Sequence, residues 1–151
     1  MGEVLGIWIS TETGGDNQPL ETVLAVAGEG LVGDRYRRSG KPDQEITLIE
    51  SEQLDWFQQE HGMSFPPAQT RRNILTRDIR LNELVGRRIL IGGAVIEGMR
   101  LCEPCKTLQE RTGLPVLPAM INRGGLNCRI IQGGEIRIGD AIDQIRENAK
   151  D

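Results

Sequence analysis

Two cysteines stand three positions apart in the stretch LCEPCKTLQERTG, Cys102 and Cys105, at the start of a segment that reads as a short helix. Pro104 is tolerated in a first helical turn, and Gly113 would end the segment. Four chemistries are open to such a pair. The thiols can pack as small buried hydrophobes. They can join a structural zinc site, which wants four ligands, as a rule in two close pairs. The chain offers Cys128 and its single histidine, His61, as further donors but no second pair, so no zinc is expected. They can exchange a disulfide, although a redox Cys-x-x-Cys belongs near the start of a β-α-β pattern, and this one falls late in a hairpin-rich chain. Or Cys105 presents a thiolate. Free N–H groups and the dipole at a helix N-terminus favour that form, and a soft thiolate suits a soft metal centre or the carriage of sulfur.

The elements that must position these thiols are mostly strands. ETVLAVAG and EITLIE are rich in Val, Ile and Thr and read as strands. Between them runs a glycine-punctuated loop carrying Asp34, Arg35, Tyr36, Arg37 and Arg38. SEQLDWFQQEHG predicts an amphipathic helix over 51–61, with Ser51 as N-cap, Gly62 as its stop, and Leu54 with Phe57 or Trp56 buried. RRNILTRD leads into another strand, and LNELVG forms one helical turn. RRILIGGAVIEGMRL predicts a hairpin about Gly92-Gly93. LNCRIIQGGEIRIGDAIDQI predicts a second hairpin about Gly133-Gly134, then a turn at Gly139-Asp140 and a last strand. Roughly eight short strands joined by tight turns argue for a mainly β, barrel-like, mostly antiparallel fold with a few short helices, rather than a doubly wound parallel sheet.

Bulk properties bound the function. The 151 residues fit one domain with a sizeable core, and 19 glycines agree with many turns. A net charge of −4 argues against nucleic acid or an anionic membrane as the main partner. No signal peptide and no membrane-spanning apolar run is visible. Three cysteines without a disulfide pattern point to a reducing, cytoplasmic setting.

Six segments taken in order resemble a known family: GEGLVGDRYR, ITLIESEQL, RRNILTRD, LNELVGRRILIGGAVIEG, CEPCKTL and NRGGLNCRIIQGGEIRIGD. Together they are similar to the MOSC domain, the C-terminal part of molybdenum-cofactor sulfurase, which also occurs as small stand-alone bacterial proteins. The likeness treats 1–151 as a single domain with its core at about 24–142. It implies a β-barrel and a molybdenum–pterin cofactor. It also implies that Cys105 is the molybdenum ligand or persulfide carrier, with Cys102 and Cys128 secondary. An anionic cofactor suits arginine forks, and Arg71, Arg72 and Arg123 stand at motif positions where such contacts arise. Asn73 would meet the pterin edge, and Gly124 and Gly125 would let a ligand approach the backbone. Asp34 is either a turn residue or part of the site. Arg71 and Arg72 are expected at the mouth of the pocket that holds Cys105.

Two functions are implied. One is a reductase of N-hydroxylated small molecules, fed by a separate electron-donor protein. The other is a sulfur carrier that exchanges a persulfide with a sulfurtransferase partner or with the cofactor. A third, plainer reading is a domain of this shape that binds neither. The chain departs from stand-alone members at Tyr36 and Asn122, where they often carry histidine, so a reductase of this kind would either use another acid or take a different substrate.

Overall fold

A computed structural model of the chain describes residues 2–11, 17–34, 40, 42–102, 113, 120 and 122–146. Among these, seven strands close into a barrel: β1 (Gly2–Ile9), β5 (Ile46–Glu50), β6 (Ile74–Arg77), β7 (Arg88–Ile91), β8 (Ala94–Leu101), β9 (Leu126–Gln132) and β11 (Ala141–Gln144). Their order is β11-β7-β8-β9-β5-β6-β1, and β1 returns to β11 through Gly2↔Ile142 and Glu3↔Ala141. A short strand, β2 (Gln18–Leu20), hangs on β1. A separate sheet has the order β10-β3-β4, from Gly134–Arg137, Thr22–Val26 and Gly30–Leu31. The fold is therefore mainly β and barrel-shaped, as the turn-rich sequence predicts.

Apolar residues fill the barrel. Val4, Ile7, Ile46, Leu48, Ile74, Ile89, Ile91, Ile96, Leu126 and Ile142 belong to one buried cluster. Each fully buried side chain of this kind contributes about 1.5–3 kcal/mol. Strands β5 and β6 are apolar on both faces, because Ile49 and Leu75 point outward into a second cluster with Leu54, Phe57, Phe65 and Met120. That cluster lies under α1 (Ser51–His61). The helix is the crossover that lets β5 and β6 run parallel, Leu48↔Ile74 and Glu50↔Thr76, among otherwise antiparallel neighbours.

Helix α1 matches the sequence expectation in extent and buried face, with Leu54 and Phe57 inward. Gly62 ends it at φ 64°, its N–H bonded to the Gln58 carbonyl at 2.8 Å. The N-cap differs from expectation: it is Glu50, and Ser51 is already helical. The Glu50 carboxylate instead accepts the Leu81 N–H at 3.1 Å, in the single-turn helix Leu81–Leu84. The hairpin about Gly92-Gly93 forms as predicted, with Ile91 facing Ala94 across the turn.

The second predicted hairpin does not form. At Gly133 the chain leaves β9, and β10 pairs with β3 in the other sheet, Glu135↔Leu24 and Ile136↔Val23. The two glycines serve close packing rather than a hairpin turn. A Cβ on Gly133 would meet the Ala25 carbonyl oxygen, and one on Gly134 would collide with that of Gly93. Among the described residues no helix is long and apolar enough to cross a membrane.

Candidate functional site

Strand β5 lies between β6 and β9, and Leu48 faces Ile74 on one side and Leu126 on the other. Leu126 in turn faces Leu101, the last residue of β8. Three segments that carry predicted site residues therefore meet around Leu48: 71–73 before β6, 122–125 before β9, and Cys102 after β8.

Hydrogen bonds join them. Arg72 Nε donates to the Gly124 carbonyl at 2.9 Å, and its Nη1 donates to the Thr70 carbonyl at 3.2 Å. The Cys102 N–H donates to the Gly125 carbonyl at 2.8 Å. Gly125 has φ 104°, and a Cβ there would collide with the Leu48 carbonyl oxygen, so the close approach it permits is that of β5. Asn73 is buried and engaged at both ends of its carboxamide. Its Oδ1 accepts the Thr47 N–H and hydroxyl, each at 3.0 Å, and its Nδ2 donates to the Trp8 carbonyl at 3.1 Å.

Arg71 turns the other way. Its Nη2 donates to Ser10 Oγ at 3.2 Å, and the Ser10 N–H donates to the buried Asp34 carboxylate at 3.0 Å. Arg123 stacks on Trp56, its guanidinium carbon 3.7 Å from a ring centroid, and Nη1 donates to Gln53 Oε1 at 2.7 Å. The stack ties the glycine loop to α1 and leaves further guanidinium N–H groups beyond the one given to Gln53. Backbone strain marks both segments. Arg71 has φ 64° and Asn122 has φ 62°, in the left-handed region that non-glycine residues rarely occupy. Asparagine is among the residues that tolerate that region, which gives Asn122 a local structural reason.

A family model for the MOSC domain matches residues 35–143, most of the chain. The chain belongs to the MOSC domain family. Solved structures share the MOSC fold at low identity. The YuaD protein of Bacillus subtilis is 17% identical with a TM-score of 0.80, covering 94% of each chain. YiiM of Geobacillus stearothermophilus is 18% identical with a TM-score of 0.78, over 97% of this chain and 76% of its own. YiiM of Escherichia coli is 16% identical with a TM-score of 0.72, over 97% and 71%. No curated protein matches the sequence. The MOSC family is associated with molybdenum-cofactor binding. The barrel extends beyond the matched range, since β1 precedes it and closes the barrel between β6 and β11.

Cys105 lies outside the described residues, as do Arg35, Tyr36, Arg37 and Arg38. Its two fellow thiols are both buried. Cys102 Sγ donates to Asn127 Oδ1 at the end of β8. Burial pushes the Cys128 thiol well up, and the nearby Cys102 adds to the effect, so Cys128 stays a neutral, inert thiol. His61 is exposed and packs its ring 4.9 Å from that of Phe57. Among the described residues no three His, Cys, Asp or Glu side chains gather to hold a metal ion.

Sequence reasoning missed Ser10, Thr47, Gln53, Trp56 and Asn127, the partners that orient Arg71, Asn73, Arg123 and Cys102. Residue type carried no signal for them, because each is brought into place by pairing between distant segments.

Proposed function

We propose that this MOSC domain binds the molybdenum–pterin cofactor and reduces N-hydroxylated small molecules, with electrons from a separate protein. The observation that carries the reading is the Arg72–Gly124 bond within a MOSC fold, which ties Arg72 to the Arg123 loop beside the strand end that leads to Cys105. Arg123 would grip the cofactor's phosphate with a charged fork. Arg72 and Asn73 would act from behind, holding the loop and strand ends around that fork. Trp56 would keep the Arg123 guanidinium in place. Cys105 would hold the metal as a thiolate, while Cys102 and Cys128 stay sequestered. When bound, the cofactor would supply a metal that changes oxidation state.

One observation favours a second reading, a persulfide carrier on Cys105. Asn122 stands where related chains often carry histidine, and its amide delivers no proton. Sulfur exchange with a sulfurtransferase or with the cofactor needs a thiolate but no proton donor at that position.

Expression in a host that makes the cofactor, followed by metal and pterin analysis, tests the proposal. The parent should retain molybdenum and pterin together, Arg123→Gln should lose pterin, and Cys105→Ser should lose the metal while folding normally. Protein free of both, yet loaded with persulfide on Cys105 by a cysteine desulfurase, would replace the first reading with the second. Protein that takes up neither would overturn both.

A further inference from the structure

Across the barrel from the Leu48 region, three arginines line one groove, and none of them has an acidic partner among the described residues. A groove of about 630 Å³ is lined by Arg87, Arg88, Arg146, Gln144 and Glu97 among others. Strand β7 stands three positions from β5 in the barrel order, so this groove is separate from the segments that carry Arg72 and Gly124.

Register explains why the arginines are unpaired. Arg88 faces Glu97 across β7 and β8, and Glu97 faces Arg129 across β8 and β9. The Glu97 carboxylate is bonded to Arg129 Nε at 2.8 Å, on the far side from Arg88. Among the described residues, Arg87, Arg88 and Arg146 make no side-chain hydrogen bond or ion pair. Elsewhere Arg77 pairs with Glu3 and Arg137 with Glu135, as this acidic chain allows.

The backbone holds the three in position. The Ile145 N–H donates to the Arg88 carbonyl at 2.8 Å, which extends the β11–β7 ladder past Gln144, sets Ile145 opposite Arg88 and brings Arg146 level with Arg87. The Arg87 carbonyl accepts the Gly98 N–H at 3.0 Å, and its N–H donates to the Leu84 carbonyl at 3.0 Å. Like charges gathered on a rigid frame repel one another, a cost that an anion between them would offset. Guanidinium forks match phosphate oxygens, and the Gln144 carboxamide offers a neutral donor and acceptor beside them.

We propose that this groove is a binding site for a small molecule carrying a di- or triphosphate, independent of the cofactor reading. Titration calorimetry with inorganic pyrophosphate and triphosphate on the full chain tests it, with sulfate and a poly-glutamate peptide as comparisons. The expected result is saturable binding of the phosphates that weakens with salt and falls about tenfold or more in Arg88→Gln/Arg146→Gln. The same double variant should melt no lower than the parent without ligand, because it removes repulsion. Absent or non-saturable phosphate binding, equal binding to the double variant, or binding of sulfate or the acidic peptide as strong as that of triphosphate would each overturn the proposal. Molybdenum and pterin content of the double variant should match the parent's, so the two proposals fail separately.

Discussion

Arg72 donates its Nε–H to the Gly124 carbonyl at 2.9 Å, so the residue before β6 holds the loop that enters β9. A second nitrogen of the same fork holds the Thr70 carbonyl at 3.2 Å. Removing the side chain leaves two carbonyls without that partner. Arg72→Ala should therefore lose about 1.5–3 kcal/mol in urea unfolding. Arg72→Lys should recover little of it, since an ammonium cannot span both acceptors as a planar fork does. A lysine variant as stable as the parent would contradict the two-carbonyl role.

Gly125 should tolerate no side chain. Its φ of 104° and the Leu48 carbonyl beneath it exclude a Cβ. Gly125→Ala is expected to cost more than about 3 kcal/mol or to leave no folded protein. Gly28 is the comparison, with φ 74° and no atom within 4 Å of a built Cβ. Gly28→Ala should cost only about 1 kcal/mol in the same thermal melts. Equal losses at the two sites would mean that backbone angle, not the β5 contact, sets the price.

Thiol labelling should distinguish the three cysteines. Cys102 and Cys128 are buried, and Cys128 is pushed well above the ordinary thiol range by burial. Iodoacetamide at mildly alkaline pH should modify Cys105 alone in the folded protein and all three after unfolding. Mass spectrometry showing Cys128 modified as fast as Cys105 under native conditions would refute this.

Stability should respond to pH through Glu50. Burial raises its carboxyl pKa, opposed by the Leu81 N–H, by Gln53 and by Arg80, while Glu52 adds to the rise. A raised folded-state pKa means that the folded chain holds the proton more tightly than the unfolded chain. The contribution is then full below the ordinary carboxylate range and is lost as pH climbs through the folded-state value. Glu50→Gln keeps an acceptor for Leu81 and removes the titration. It should match or slightly exceed the parent at neutral pH, by less than about 1 kcal/mol because the group is half-exposed. Unfolding curves that keep the same pH slope in the variant would assign the effect elsewhere.

The parts of the fold legible in the sequence are those governed by local chemistry. Gly92-Gly93 makes a two-residue turn, and the 51–61 segment buries Leu54 and Phe57 and stops at Gly62. The first strand was not legible. GEVLGIWI turns Val4, Ile7 and Ile9 into the barrel and Leu5 and Trp8 toward the cluster under α1, so it shows no polar alternation. Gly133-Gly134 misled for another reason: a glycine pair looks the same whether the chain reverses or changes sheets. In the candidate site, arginine and glycine were legible by type. Whether an arginine faces a ligand or a carbonyl depends on register, and register is decided by strands far apart in sequence.

The pairing of Gly2 with Ile142 is where the barrel closes. Without β11 docked, the barrel is an open sheet whose rims are β7 and the N-terminal half of β1, beside the part that β2 covers. Bare rims of that kind are the condition in which strands recruit strangers, so β11 acts as the seam that keeps the sheet from pairing outside itself.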